Sequence, residues 1–401
     1  MKPTSSNAVL WIIPAVYFVF VAAEFSALTY LALTATADGW SALSVGLLAT
    51  SLWAGILLAS TRSHVAVARW GYGVVFVSAT LLSTLAIATL PWHEHFPGWL
   101  AACFVLGFGG GFVWVAGESW LAEVAPPARR GLYVGLFETA VGLGLMAGPA
   151  LVPLARALDW PALWLSTVGM LVALVTSALL LRVAAPAETA QDDPTASPKA
   201  ASTAWRTVAG PLIAVAAISG LMESGASALL PSISMRIGFT FESAAWLGTV
   251  IGAGSALLQP PAGHLADRWG VPRTTLLAWV AVLVANAVLL VFSRDPQTVL
   301  WAVGFALGGM GGAVYTLMIV ELGHRLSGPS LVKAVAALVT AYSLGTAVGP
   351  TVGGATFDAG GLISLSLLLL ALSSVGIAVT WRELRPKPET SNHLGTDRSK
   401  R

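Results

Sequence analysis

Residues 185–205 read APAETAQDDPTASPKAASTAW. This is the only long polar stretch before the C-terminal tail. It carries Glu188, Asp192, Asp193 and Lys199, the prolines Pro186, Pro194 and Pro198, and no apolar run. Such a segment buries too little apolar surface to offset the entropy of ordering, so it is expected to be a flexible linker. The blocks on either side are almost entirely apolar. They lie over each other at an offset of 199–201 residues. The chain therefore divides into 1–184, the linker 185–205, a second block 206–384 and a polar tail 385–401.

The 401 residues are 56% hydrophobic and 10% charged, with a mean hydropathy of +0.79. A soluble domain carries roughly 25% charged residues. With so few charges the chain cannot cover a water-facing surface, so the lipid bilayer must be its main solvent. One cysteine, Cys103, excludes an intrachain disulfide and a thiolate metal cluster. No Lys/Arg patch stands outside the tail, so no nucleic-acid partner is expected. No nucleophile–base set is present, which argues against an enzyme, and no cofactor or metal is expected. His93-Glu94-His95 has a spacing that can touch a metal, but it reads as a solvated loop. The first apolar run is too long for a signal peptide and lacks a small-residue cleavage site, so it is expected to be a retained membrane helix.

A membrane helix needs ~20 mostly apolar residues. Twelve runs meet this: 8–34, 41–61, 70–91, 97–122, 131–155, 160–183, 207–233, 243–261, 274–293, 298–322, 331–356 and 361–382. Six precede the linker and six follow it. With the N-terminus in the cytoplasm, 18 of the 21 Lys and Arg residues fall on the cytoplasmic side, and only Arg156, Arg236 and Arg294 fall outside. This bias predicts cytoplasmic termini and a cytoplasmic linker in a bacterial inner membrane.

The repeat extends to single residues. Ala23-Glu24-Phe25-Ser26-Ala27 matches Met222-Glu223-Ser224-Gly225-Ala226, and Arg69-Trp70-Gly71 matches Arg268-Trp269-Gly270. Trp114 matches Tyr315, and Gly148-Pro149 matches Gly349-Pro350. Glu24 and Glu223 thus stand at equivalent places near mid-bilayer, where an isolated carboxylate costs ~2.5 kcal/mol or more. No Lys or Arg lies at their depth. The neutral, protonated form is therefore favoured, each is a candidate proton carrier, and an anionic substrate is disfavoured. Glu138 is a third intramembrane carboxylate. The aromatic residues Phe25, Trp114, Phe137, Tyr315 and Tyr342 lie at similar depths and suit an apolar or cationic organic substrate. Gly144-x-x-x-Gly148-Pro149 and Gly345-x-x-x-Gly349-Pro350 offer flat grooves for close helix packing, with prolines that permit bends.

Gly263-His-Leu-Ala-Asp267-Arg268-Trp-Gly270-Val-Pro-Arg273 is expected in the loop between the eighth and ninth runs. It resembles the G-x-x-x-D-R-x-G-R-R loop signature of the major facilitator superfamily. In the first half Ala68 stands where the acid should be, leaving Arg69 and Gly71. Glu118-Ser119-Trp120-Leu121 is similar to an E-S-W-L stretch of a bacterial branch of that superfamily. Glu118 is expected to reach Arg129 or Arg130 as a salt bridge. In the family, G-x-x-x-G-P-x-x-G-G in the fifth helix accompanies proton-coupled export. Here Val152-Pro153 replace the final glycine pair, which appears instead as Gly353-Gly354 in the eleventh run.

The resemblance implies an all-α membrane fold of two pseudo-symmetric six-helix bundles, with a substrate site between the halves near the bilayer midplane. It also implies that Asp267 meets the start of the fifth helix, near Arg129 and Arg130, and gates the cytoplasmic side. The expected function is secondary transport of a small molecule by alternating access. Proton-coupled export of a neutral or cationic amphipathic compound by a monomer leads; proton-coupled uptake of a nutrient is the alternative. A receptor or scaffold without transport is a remote third.

Overall fold

A computed structural model describes residues 4–93, 95–126, 130–182, 201–326 and 328–384. The N-terminal half contains α1 (Thr4–Ala37), α2 (Ala42–Trp70), α3 (Tyr72–Thr89), α4 (Phe96–Val124), α5 (Arg130–Ala157) and α6 (Ala162–Ser177). The C-terminal half contains α7 (Ala201–Arg236), α8 (Phe241–Trp269), α9 (Val271–Val291) and α10 (Gln297–Arg325). The last helical stretch, Gly328–Leu384, breaks at Gly360 (φ −161°, ψ 23°) and Gly361 (φ 66°, ψ −156°). Its two arms are α11 (328–359) and α12 (362–384), so twelve helices are present among the described residues. Short 3-10 turns follow α3 and α6.

The repeat seen in the sequence governs how helices begin and end. Ser41 caps α2 by accepting from the Ser44 N–H at 3.1 Å, and Thr240 caps α8 by accepting from the Ser243 N–H at 3.2 Å. Gly71 (φ 77°) ends α2 and Gly270 (φ 84°) ends α8, in a backbone region that glycine enters without steric penalty.

Two sequence expectations are corrected here. Residues 201–205, read as linker, open α7; Ala-Ser-Thr-Ala-Trp holds no glycine or proline to stop a helix propagating from the apolar run behind it. The signature at 263–273, read as a loop, lies on the last turns of α8 up to Trp269, with only Gly270 between helices. The polar residues end the apolar run but not the helix, which continues until a residue of left-handed φ stops it. The first-half counterpart at His64–Arg69 is likewise on α2.

Glycines set the packing. A Cβ on Gly144 would lie 2.8 Å from Val21 Cβ, and one on Gly148 would lie 2.8 Å from the Ala22 carbonyl; both glycines therefore seat α1 against α5. Gly345 meets the Ala217 carbonyl, and a Cβ on Gly349 would lie 2.6 Å from Ser224 Oγ, which seats α7 against α11. The adjoining prolines face the other half. A Cβ on Gly248 of α8 would lie 2.9 Å from Pro149 Cβ, and Gly46 of α2 abuts the Pro350 carbonyl. Each Gly-Pro pair thus joins a helix of its own half on one side and a helix of the opposite half on the other.

Let the near face be the one carrying the start of α1 and the far face the opposite one. The halves are joined firmly at the far face. Asp358 accepts from the backbone N–H groups of Ala42 (2.9 Å) and Leu43 (2.8 Å) at the start of α2. Arg156 pairs with Glu242 at 2.5 Å and stacks over Phe241 at 3.8 Å. Arg236 donates to the Trp40 carbonyl, and the Thr50 and Thr351 hydroxyls meet at 2.7 Å. Along the α5–α8 seam, contact reaches Gly142 against Ala256. Beyond it, towards the near face, Glu138 and Asp267 are exposed. Among the described residues, the polar contacts between the halves lie towards the far face.

Candidate functional site

Side chains from both halves converge at mid-depth. On α11, the Tyr342 hydroxyl donates to Glu223 Oε2 of α7 at 2.8 Å. The Tyr342 ring packs on Tyr315 of α10, with centroids 4.1 Å apart and planes at 33°. Glu118 of α4, Glu138 of α5 and Glu223 all lie within electrostatic reach of the Tyr315 hydroxyl. Glu118 faces the Trp114 indole one turn back on α4. Carboxyl groups from both halves therefore act on one tyrosine. Glu138 is accessible although protein surrounds it, as expected for the wall of an internal cavity.

Glu24 is not among the groups that reach Tyr315, but it shares Tyr17 with Glu118 and Glu138. It is 4% exposed, and its Oε1 is buried without a hydrogen-bond partner. A Cβ on Gly110 of α4 would lie 3.0 Å from that oxygen. Glu223 makes the repeat-related contact: Gly311 of α10 faces its Cβ and Cγ. The two glutamates are thus equivalent in framework and different in surroundings. The glutamates within reach of Tyr315 are Glu223, Glu118 and Glu138.

The other expected site residues divide. Trp114, Tyr315 and Tyr342 are half-buried and belong to the central group. Phe137 is 0% exposed and packs on Tyr17 at 4.6 Å, so it supports the wall without forming its surface. Phe25 is turned to α5, with its Cβ 2.9 Å from where a Cβ on Gly148 would stand. Asp267 and Arg268 are exposed at the end of α8, and Asp267 has no hydrogen bond or ion pair among the described residues. Its expected partner Arg129 lies outside the described residues, as does the side chain of Arg130, and the expected Glu118 bridge falls with them. Sequence reasoning missed Tyr17, which lies two helical turns before Glu24 and touches Trp114 and Phe137. It also missed Gln259 and Asp358.

A family model described as Major Facilitator Superfamily matches residues 15–236 and 212–400. The chain is 26% identical over 349 residues to a Bacillus subtilis protein named "Uncharacterized MFS-type transporter YfkF", covering 85% of this chain and 87% of that one. It is 24% identical over 357 residues to the MFS-type transporter YcaD of Salmonella dublin, covering 87% and 88%. A solved bacterial homologue of the human lysosomal transporter Spinster, inward-facing and unoccupied, superposes with a TM-score of 0.74 at 14% identity, covering 97% and 100%. The D-xylose–proton symporter superposes at 0.71 with 15% identity, covering 96% and 98%.

Proposed function

The chain belongs to the Major Facilitator Superfamily and is a membrane transporter, and on that premise we propose that it exchanges protons for a neutral or cationic amphipathic compound. The observation that carries the reading is the Glu223–Tyr342 pair set in a wall that also holds Glu118, Glu138 and Tyr315. A buried carboxyl with a single tyrosine donor and no basic neighbour is stable when protonated. Deprotonated, it wants a cation. A cationic substrate entering beside Tyr315 and Trp114 meets aromatic faces and three acidic groups at once. Substrate and proton then compete for the same carboxylates, so one leaves as the other binds. An inward proton gradient drives such exchange outward, which makes export the preferred direction. Glu24, sealed and unpartnered, is assigned a bracing role unless another conformation opens it. The near face is taken as cytoplasmic from the Lys/Arg bias, so the conformation described is open to the cytoplasm.

A thermal-shift screen of the purified protein against organic cations, neutral amphipaths and organic anions tests the substrate class, since a ligand of the folded state stabilises it by mass action. Cations or neutral amphipaths should raise the melting temperature; stabilisation by anions alone overturns the reading. For a compound that binds, Glu223→Gln should abolish its pH-gradient-driven accumulation in everted vesicles. Unimpaired accumulation removes Glu223 from the coupling.

A further inference from the structure

A row of polar atoms leads away from Glu223 Oε1, the carboxyl oxygen that Tyr342 does not bond. On α10, Gly312 has no side chain, and three polar atoms converge over it. A Cβ there would stand 2.8 Å from Gln259 Nε2, 3.1 Å from Glu223 Oε1 and 3.5 Å from Ser255 Oγ. Gln259 Nε2 also donates to Ser255 Oγ at 2.9 Å, and Thr316 Oγ1 stands 3.5 Å from Gln259 Oε1. Gln259 and Thr316 in turn line a cavity of about 120 Å³ whose wall also holds Gly263, Val320 and, at the near face, Asp267. Every described residue lining that cavity belongs to α8 or α10. Pro260 and Pro261 follow Gln259 directly and remove two backbone donors from α8 where it lines this cavity.

The first half differs at the equivalent position. The repeat-related position to Gln259 is Ser60, whose hydroxyl donates to the Leu57 carbonyl of its own helix at 2.8 Å. Glu24 Oε1 accordingly has no partner. Among the described residues, the Gln259 amide stands in the half whose glutamate holds a tyrosine.

We propose that Glu223 exchanges its proton with the near-face solution through the α8–α10 cavity, with Gln259 as the positioning residue. The inference rests on the reading of Glu223 as the exchanging group. Gln259 carries no proton. Its amide orients a water against Glu223 Oε1, close enough for one water to bridge. The carboxyl O–H breaks, the proton passes to that water, and it leaves through solvent in the cavity to the face where Asp267 stands. Only O–H bonds change. The other titratable groups facing Glu223 are Tyr342 on α11 and Tyr315 on α10, with Glu118 and Glu138 beyond Tyr315.

The test requires no substrate. Infrared difference spectra of the full chain in lipid, recorded after a pH jump, report the carbonyl stretch of protonated carboxyl groups. The band lost in Glu223→Gln belongs to Glu223. Gln259→Leu should keep that band and slow its decay about tenfold or more, the equivalent of roughly 1.4 kcal/mol of barrier. As a second arm, Val320→Cys in a Cys103→Ser background places a thiol on the cavity wall. Before labelling, its decay should match the parent; after reaction with a sulfonated thiosulfonate it should slow in the same way. If Glu223→Gln removes no band, the underlying reading fails. If the band is present and neither Gln259→Leu nor labelling slows it, the passage alone is overturned.

Discussion

The Glu223–Tyr342 bond and the unpartnered Glu24 make opposite predictions for the same substitution. Glu223→Leu leaves the Tyr342 hydroxyl without its acceptor in a buried site, at a cost of about 1–3 kcal/mol. Glu24→Leu removes a carboxyl whose buried Oε1 has no hydrogen-bond partner, which is neutral or stabilising by the same reasoning. Thermal denaturation in detergent should therefore show a lowered midpoint for Glu223→Leu and an unchanged or raised one for Glu24→Leu. Equal losses would place the two glutamates in the same role. That both residues occupy equivalent depths was legible from the repeat alone. Their difference was not, because it arises from neighbours on other helices: Tyr342 and Gln259 for one, a bare Gly110 for the other. Gln259 went unread for a simpler reason. It sits at the end of an apolar run, where polarity marks the edge of the bilayer and gives no hint of what the side chain faces.

Glycine repeats in helices were readable as packing grooves, and the structure gives each one its partner. Gly349 has Ser224 Oγ and the Leu221 carbonyl against it, so Gly349→Ala forces α7 and α11 apart. Overpacking of this kind costs typically 1–3 kcal/mol. Gly263 on α8 has nothing within 4 Å of a Cβ, so Gly263→Ala should be tolerated or gain up to ~1 kcal/mol of helix propensity. Melting temperatures of the two variants check the contrast, and a larger loss at Gly263 would contradict it. The number and order of helices followed from hydropathy and charge, because lipid demands apolar spans of fixed length. Helix ends did not follow. The hydrophobic span stops at the membrane surface, while the hydrogen-bonded helix continues into water until Gly71 or Gly270 ends it. For that reason a signature that read as a loop is helical through Trp269. Which half each seam proline touches was equally hidden, since sequence periodicity gives a face but not the neighbour on it.

At the scale of the whole molecule, two six-helix bodies meet along α2–α11 and α5–α8, and among the described residues their polar fastenings lie at the far face. Reporter fusions within 185–205 and at the C-terminus should place both on the cytoplasmic side; a periplasmic signal from either would invert the near and far faces used here. The fastening at the far face depends most on Asp358. Its two oxygens accept from the first N–H groups of α2, where unpaired donors and the helix dipole favour an anion. Arg156 with Glu242 is a more exposed pair, at 48% and 46%, and contributes little. Rocking the halves towards the opposite state must break the Asp358 contact, so its strength belongs to the conformational equilibrium as well as to folding. A hydrogen bond to a charged group contributes about 1.5–3 kcal/mol, so losing it shifts the ratio of the two states roughly tenfold or more. Asp358→Ala should move the population towards the far-open state, and Asp358→Asn, which keeps one acceptor oxygen, should move it less. Spin labels on the two halves at the far face, read by pulsed dipolar distances, give the populations directly. Distance distributions that are identical in the parent, Asp358→Asn and Asp358→Ala would show that the far face is held by the glycine-lined seams and not by this carboxylate.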